Sequence, residues 1–153
     1  MDKAVAKLFK SISEKYWTVR TANTAVHQIN NTMYKISKEF SFSAAHSLFG
    51  LPADHPCSRF HGHNYVVTVH LRAKELNLQG FVRDYNELNI VKEYIDTVLD
   101  HRNLNDILAP LNSSAENLAK MLYDHFKQQL PELYAIEVSE TPKTSATYEP
   151  ERE

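Results

Sequence analysis

Between Asn64 and Ala73 apolar and polar residues alternate, with Tyr65, Val67, Val69 and Leu71 on one side and Val66, Thr68, His70 and Arg72 on the other. A period of two is the mark of a β-strand. The two sides are unequally apolar, which predicts one face packed on helices and the other turned to a wetter interior. Directly ahead of this run stands Cys57-Ser58-Arg59-Phe60-His61-Gly62-His63. On extended backbone His61 and His63 point the same way and lie roughly 7 Å apart along the chain. They can share one metal ion, and Gly62 leaves room on the opposite face.

A third imidazole, His46, closes the alternating Phe40/Phe42 run through Ser43-Ala44-Ala45 in a strand predicted to begin at Tyr34. Three neutral imidazoles with no fourth protein ligand predict a catalytic zinc, because a structural zinc fills all four positions. The other histidines, His27, His55, His70 and His125, have no such context and read as ordinary hydrogen-bonded residues. The segment Ser47 to Phe60 is long, polar and marked by Pro52 and Pro56, as expected of a loop that shapes a site.

Two helix starts follow. Asp84-Tyr85-Asn86-Glu87 has the form of a capping box with Asp84 as N-cap, ahead of the apolar stripe Leu88, Val91, Ile95, Val98 and Leu99. Ser113-Ser114-Ala115-Glu116 repeats that signature before Leu118, Met121, Leu122 and Phe126, and Pro131 is expected to end the second helix. Alternation returns from Tyr134 to Ser139, and Thr144 to Tyr148 is expected as a last strand after a bend at Pro142. The predicted order is β-β-α-α-β-β, an α+β class.

Ahead of this domain, expected over 33–153, lies an extension over 1–32. Val5, Leu8, Phe9, Ile12 and Tyr16 fall at helical spacing, so Ala4 to Trp17 reads as a short amphipathic helix, and 18–32 reads as a linker. Asp2 and Glu14 interrupt its basic character, which disfavours a transit peptide. A helix that docks on the domain or on a neighbouring subunit is the more economical account.

The 153 residues are 42% hydrophobic and 24% charged, the balance of one globular domain. The net charge of -2 and the scattered Lys and Arg residues disfavour a nucleic-acid partner. No apolar stretch is long enough for a membrane span. One cysteine cannot form an internal disulfide, which fits a reducing, cytoplasmic compartment and leaves Cys57 free for chemistry.

Together the blocks Phe42-Ser43-Ala44-Ala45-His46, Cys57-x-x-x-His61-Gly62-His63-Asn64-Tyr65, Gly80-Phe81-Val82-x-Asp84-Tyr85, Leu99-Asp100-His101-x-x-Leu104-Asn105-Asp106, Glu116-Asn117 and Glu140-Thr141 resemble the 6-pyruvoyltetrahydropterin synthase family, in order over about residues 34–148. The resemblance implies the tunnelling fold: a four-stranded antiparallel sheet with a helix pair, three subunits closing a twelve-stranded barrel, and a homotrimer or homohexamer with active sites at subunit interfaces. It implies zinc on His46, His61 and His63, and 7,8-dihydroneopterin triphosphate as substrate. It makes Cys57, Asp100 and His101 the catalytic groups, with Cys57 as base and His101, backed by Asp100, on the opposite side of the substrate. By local pattern alone Asp100-His101 would be a histidine paired with a helix C-terminus. Glu140, on local pattern a solvated strand charge, becomes the anchor of the pterin edge. Ser114, Ala115 and Glu116 are expected to line the pterin pocket from a neighbouring subunit.

The spacing Cys57-x-x-x-His61 is similar to the bacterial, queuosine-pathway 6-carboxytetrahydropterin synthases, since the animal-type enzymes have more residues between cysteine and His-Gly-His. This implies a carbon-carbon lyase that also releases acetaldehyde and triphosphate. The alternatives are an enzyme that stops at 6-pyruvoyltetrahydropterin and a zinc- and pterin-binding subunit without turnover, which an intact Cys57, Asp100 and His101 set argues against.

Overall fold

Alternating residues build a sheet from both ends of the domain. The computed structural model describes residues 32–151. The helix expected over Ala4–Trp17 and nearly all of the linker expected over 18–32 lie outside them. Strands β1 (Tyr34–His46) and β2 (His61–Ala73) form a long antiparallel pair. Next to β2 lies β3 (Leu133–Thr141), and β4 (Thr144–Tyr148) follows it, all antiparallel in the spatial order β1-β2-β3-β4. Between β2 and β3 come a 3-10 turn (Tyr85–Leu88), α1 (Asn89–Tyr94), a wider π turn (Ile95–Leu99), α2 (Leu104–Leu108) and α3 (Ala115–Phe126). The expected order holds, with the short α2 added between the two anticipated helices.

The two faces of β2 differ as the alternation predicts. Tyr65, Val67, Val69 and Leu71 are fully buried and join one core with Leu88, Val91, Ile95 and Leu99 from the first helical stretch and Leu118, Leu122 and Phe126 from α3. Each such aliphatic side chain contributes roughly 1.5–3 kcal/mol by leaving water. On the reverse face the polar groups find partners, His70 Nε2 at 3.5 Å from Glu137 Oε2 and Arg72 donating to Glu149 at 3.1 Å.

Both helix starts depart from the expected boxes. Asp84 is an N-cap, accepting from the Asn86 N–H at 2.8 Å, but Glu87 does not close the box. Its carboxylate pairs with Arg83, a cation that outcompetes a backbone N–H for it. The second N-cap is Ser114, one residue later than expected, with its hydroxyl accepting from Asn117 N–H at 3.4 Å. Ser113 is fully buried instead, its carbonyl turned to His46. Helix α3 ends at Phe126, ahead of Pro131, and Lys127 Nζ donates to Pro131 O and Leu133 O at 3.0 and 2.7 Å, tying the exit to β3.

Candidate metal centre

Strand register assembles the site. His46 lies directly across from His61, and Ala44 across from His63. By parity these imidazoles continue the buried face that holds Phe42 and Tyr65, whose rings stack at 5.0 Å. The apolar layer therefore ends in three histidines. Their ring centroids are 4.6, 5.2 and 4.8 Å apart in pairs, and one ligand nitrogen from each lies within 4.8 Å of the others. Gly62 serves this pairing, since a Cβ there would sit 3.2 Å from Ala44 O.

Hydrogen bonds aim two of the rings. His46 Nδ1 lies 2.7 Å from Ser113 O, and His61 Nδ1 lies 2.7 Å from Arg59 O. A carbonyl only accepts, so each ring donates from Nδ1 and presents its Nε2 lone pair. His46 is buried, and its Nε2 has no hydrogen-bond partner among the described residues. An orphaned buried lone pair is costly unless a cation meets it, which is how these residues fit a metal ion. Burial lowers the pKa of His63 and its two imidazole neighbours push the same way, against the opposing charge of Glu140. That keeps the ring neutral, as a ligand must be.

Glu140 joins from β3, where the pairing slips between Ser139 and Thr141. Its Oε1 lies 3.9 Å from His46 Nε2. With Leu48, Ser114, Ala115 and Glu116 it lines a cavity of about 240 Å³. Within the one chain, Ser114 to Glu116 and Glu140 thus face the same pocket. The Tyr65 hydroxyl is buried without a partner among the described residues. Burial, and then Glu140, raise its pKa well above the ordinary phenol range, so it stays protonated.

Asp100 and His101 sit elsewhere on the sheet. The π turn closes through Asp100 N–H to Ile95 O at 2.8 Å, and the next residue, His101, takes a left-handed φ of 57°. For a side-chain-bearing residue that conformation costs about 1–2 kcal/mol. It is held by His101 N–H to Ser43 O at 2.6 Å and by Ala45 N–H to Arg102 O at 3.0 Å along the outer edge of β1. Asp100 Oδ1 accepts from Ser43 N–H at 2.9 Å, and Oδ2 lies 2.8 Å from His101 Nδ1. The ring is 80% exposed at a larger cavity of about 530 Å³. Ser43, Ala45, Gly62 and Asn64 line that cavity, and so do Ala44 and the candidate ligand His63. His101 thus opens at the outer edge of β1, on a cavity that His63 also lines.

Cys57 lies in the short turn Pro56–Ser58, half-exposed, with its N–H donated to His55 Nδ1 at 3.1 Å. Its thiol is outside the metal-ligating group, which among the described residues is the three imidazoles alone. The carbonyls of Ser113 and Arg59 escaped sequence reasoning because main-chain acceptors carry no residue signature. The parity of positions 61, 63 and 65 was the readable sign that the imidazoles extend the core face.

The chain is 35% identical over 133 residues to the 6-pyruvoyl tetrahydrobiopterin synthase of Drosophila melanogaster, covering 74% of this chain and 77% of that protein. It is 32% identical over 125 residues to the 6-carboxy-5,6,7,8-tetrahydropterin synthase of Synechocystis sp., covering 76% and 93%. The solved 6-pyruvoyl tetrahydropterin synthase of Caenorhabditis elegans superposes with a TM-score of 0.69 at 30% identity, over 78% of this chain and 97% of that one. The fold is therefore the tunnelling fold. A family model described as 6-pyruvoyl tetrahydropterin synthase matches residues 35–151, and with the sheet, the three imidazoles and these relatives this places the chain in that family.

Proposed function

We propose that the protein is a zinc-dependent carbon-carbon lyase that converts 7,8-dihydroneopterin triphosphate into 6-carboxy-5,6,7,8-tetrahydropterin, acetaldehyde and triphosphate, with uptake of one water. The observation that carries this reading is the junction of His46, His61 and His63 with Glu140 at one end of one sheet face. A zinc ion bound by the three imidazoles supplies a Lewis acid for the side-chain hydroxyls of the substrate. The Glu140 carboxylate accepts two parallel hydrogen bonds from the pterin N3–H and 2-amino group, which fixes orientation as well as affinity. Ser114, Ala115 and Glu116 wall the same pocket. The Cys57 thiolate takes a proton from the substrate side chain, and His101, stabilised by Asp100, accepts or returns the second.

Because His101 opens at the sheet edge, it serves the site of a neighbouring subunit in this reading, within a homotrimer or homohexamer. The single cysteine supports a reducing, cytoplasmic setting, as part of queuosine biosynthesis. Among the described residues no helix is long and apolar enough to cross a membrane.

The fly relative favours a second reading, in which triphosphate leaves and the product is 6-pyruvoyltetrahydropterin. The short spacing from Cys57 to His61 favours the first. Incubation of the zinc-loaded protein with 7,8-dihydroneopterin triphosphate, followed by product identification, decides. Acetaldehyde in step with triphosphate is expected; triphosphate without acetaldehyde selects the second reading, and neither product removes both.

A further inference from the structure

We infer that Asn105 and Asn112 form a paired amide clamp that positions the metal ligand His46 against the Ser113 carbonyl, an inference that rests on the metal-centre reading above. The ladder between β1 and β2 ends at the pair His46 and His61. Beyond it, Ser47 donates its N–H to Asn105 Oδ1 at 2.8 Å and accepts from Asn105 Nδ2 at 2.7 Å. Two residues on, Phe49 does the same with Asn112, at 2.8 and 3.0 Å. An asparagine amide carries a donor and an acceptor like those of a peptide group. Each clamp therefore replaces one residue of a missing strand neighbour, and their two-residue spacing copies a ladder.

Between them Leu48 turns the other way and donates its N–H to Cys57 O at 2.8 Å. Both sides of the segment that follows His46 are held. The clamps come from the stretch that also supplies the acceptor for His46, since Asn112 directly precedes Ser113 and is itself tied through its carbonyl to Asn117 Nδ2 at 2.9 Å. The 2.7 Å contact between His46 and Ser113 is thus set from the residue after the ligand and the residue before the acceptor.

This arrangement has a signature that a merely structural role lacks. Phe49 is exposed, so water can satisfy its backbone groups when Asn112 is removed, and stability changes little. The aim of the His46 ring does not recover in that way, and loss of a partner that orients a ligand costs about 10- to 100-fold in metal affinity.

The test titrates the metal-free full chain with Co²⁺ while following the visible absorption bands, alongside melting curves of the same metal-free samples. Asn112→Ala should fold, melt close to wild type, bind Co²⁺ about 10- to 100-fold more weakly and show altered bands. Asn105→Ala should behave alike, and the double variant should lose less than the product of the two, because both act on one segment. Should Asn105→Ala not fold, Asn112→Ala at the exposed end carries the test alone. Wild-type affinity and bands in folded Asn112→Ala overturn the clamp. A wild type that binds no Co²⁺ overturns the metal centre and the clamp together, and the identity of the pterin product enters neither outcome.

Discussion

Tyr65 has a hydroxyl for which the described residues provide no partner, although the ring is fully buried and stacked on Phe42. Deleting an unsatisfied buried hydroxyl removes a penalty rather than a bond, so Tyr65→Phe should leave stability unchanged or raise it by about 1 kcal/mol. A thermal or urea unfolding curve reads this, and a clear loss of stability would mean that the hydroxyl has a partner after all. Asp100 is the opposite case, a carboxylate with more than one donor. The Ser43 N–H, and after it His101, hold its carboxyl below the ordinary 3.8. The unfolded chain then binds that proton more tightly than the folded one, so the stabilisation is complete above the ordinary value and is lost as pH falls through the folded one. Asp100→Asn should melt below wild type near neutrality, by a margin that shrinks as pH is lowered to about 3. A margin constant across that range would sink the assignment.

At the scale of elements, what can be read from residues is what repeats. Tyr65, Val67, Val69 and Leu71 announced the buried face of β2, and His46, His61 and His63 could be placed near one another because extended backbone permits only two directions. Helix α2 has five residues, too few to show a period, and went unseen. The shift of the second N-cap from Ser113 to Ser114 followed from a demand outside the helix, the bond from His46 to the Ser113 carbonyl. Asp100 and His101 were legible as a pair, but their place on the β1 edge depends on main-chain bonds to Ser43 and Ala45 that no side chain encodes. The close pairing of the first two strands also makes a prediction. At Gly62 an added methyl would meet Ala44 O at 3.2 Å, and the three nearest atoms it meets are all main chain of β1, which gives way less readily than a side chain. Gly62→Ala should cost about 1–3 kcal/mol in the metal-free protein and weaken metal binding as well, because the displaced strands carry all three ligands. Unchanged values in calorimetry and metal titration would show that the strands part freely there.

For the whole molecule the decisive feature of the proposed function is that one chain carries the metal side and the Asp100-His101 pair at different places on its sheet. The imidazoles and Glu140 end the helix-covered face, whereas His101 stands on the outer edge of β1. In the function proposed above, a substrate held at the metal and Glu140 of one chain is reached by the His101 of another, a head-to-tail arrangement that a closed ring satisfies at every site. This separates two architectures by counting. Take His63→Ala, which damages the metal side, and His101→Ala, which damages the proton-transfer side, each inactive alone. Denature them together in equal amounts and let them refold and assemble at random. If each site draws on two chains, a site works when its metal side comes from the His101→Ala chain and its neighbour is the His63→Ala chain, which happens in about one quarter of sites. If each site lies within one chain, every site has a lesion and the mixture stays inactive. The expected result is recovery of about a quarter of wild-type turnover, absent when the two variants are mixed without exchange of subunits. A mixture that exchanges subunits, as native mass spectrometry would show, and yet stays inactive would return His101 to its own chain's site and leave the edge of β1 without a catalytic part.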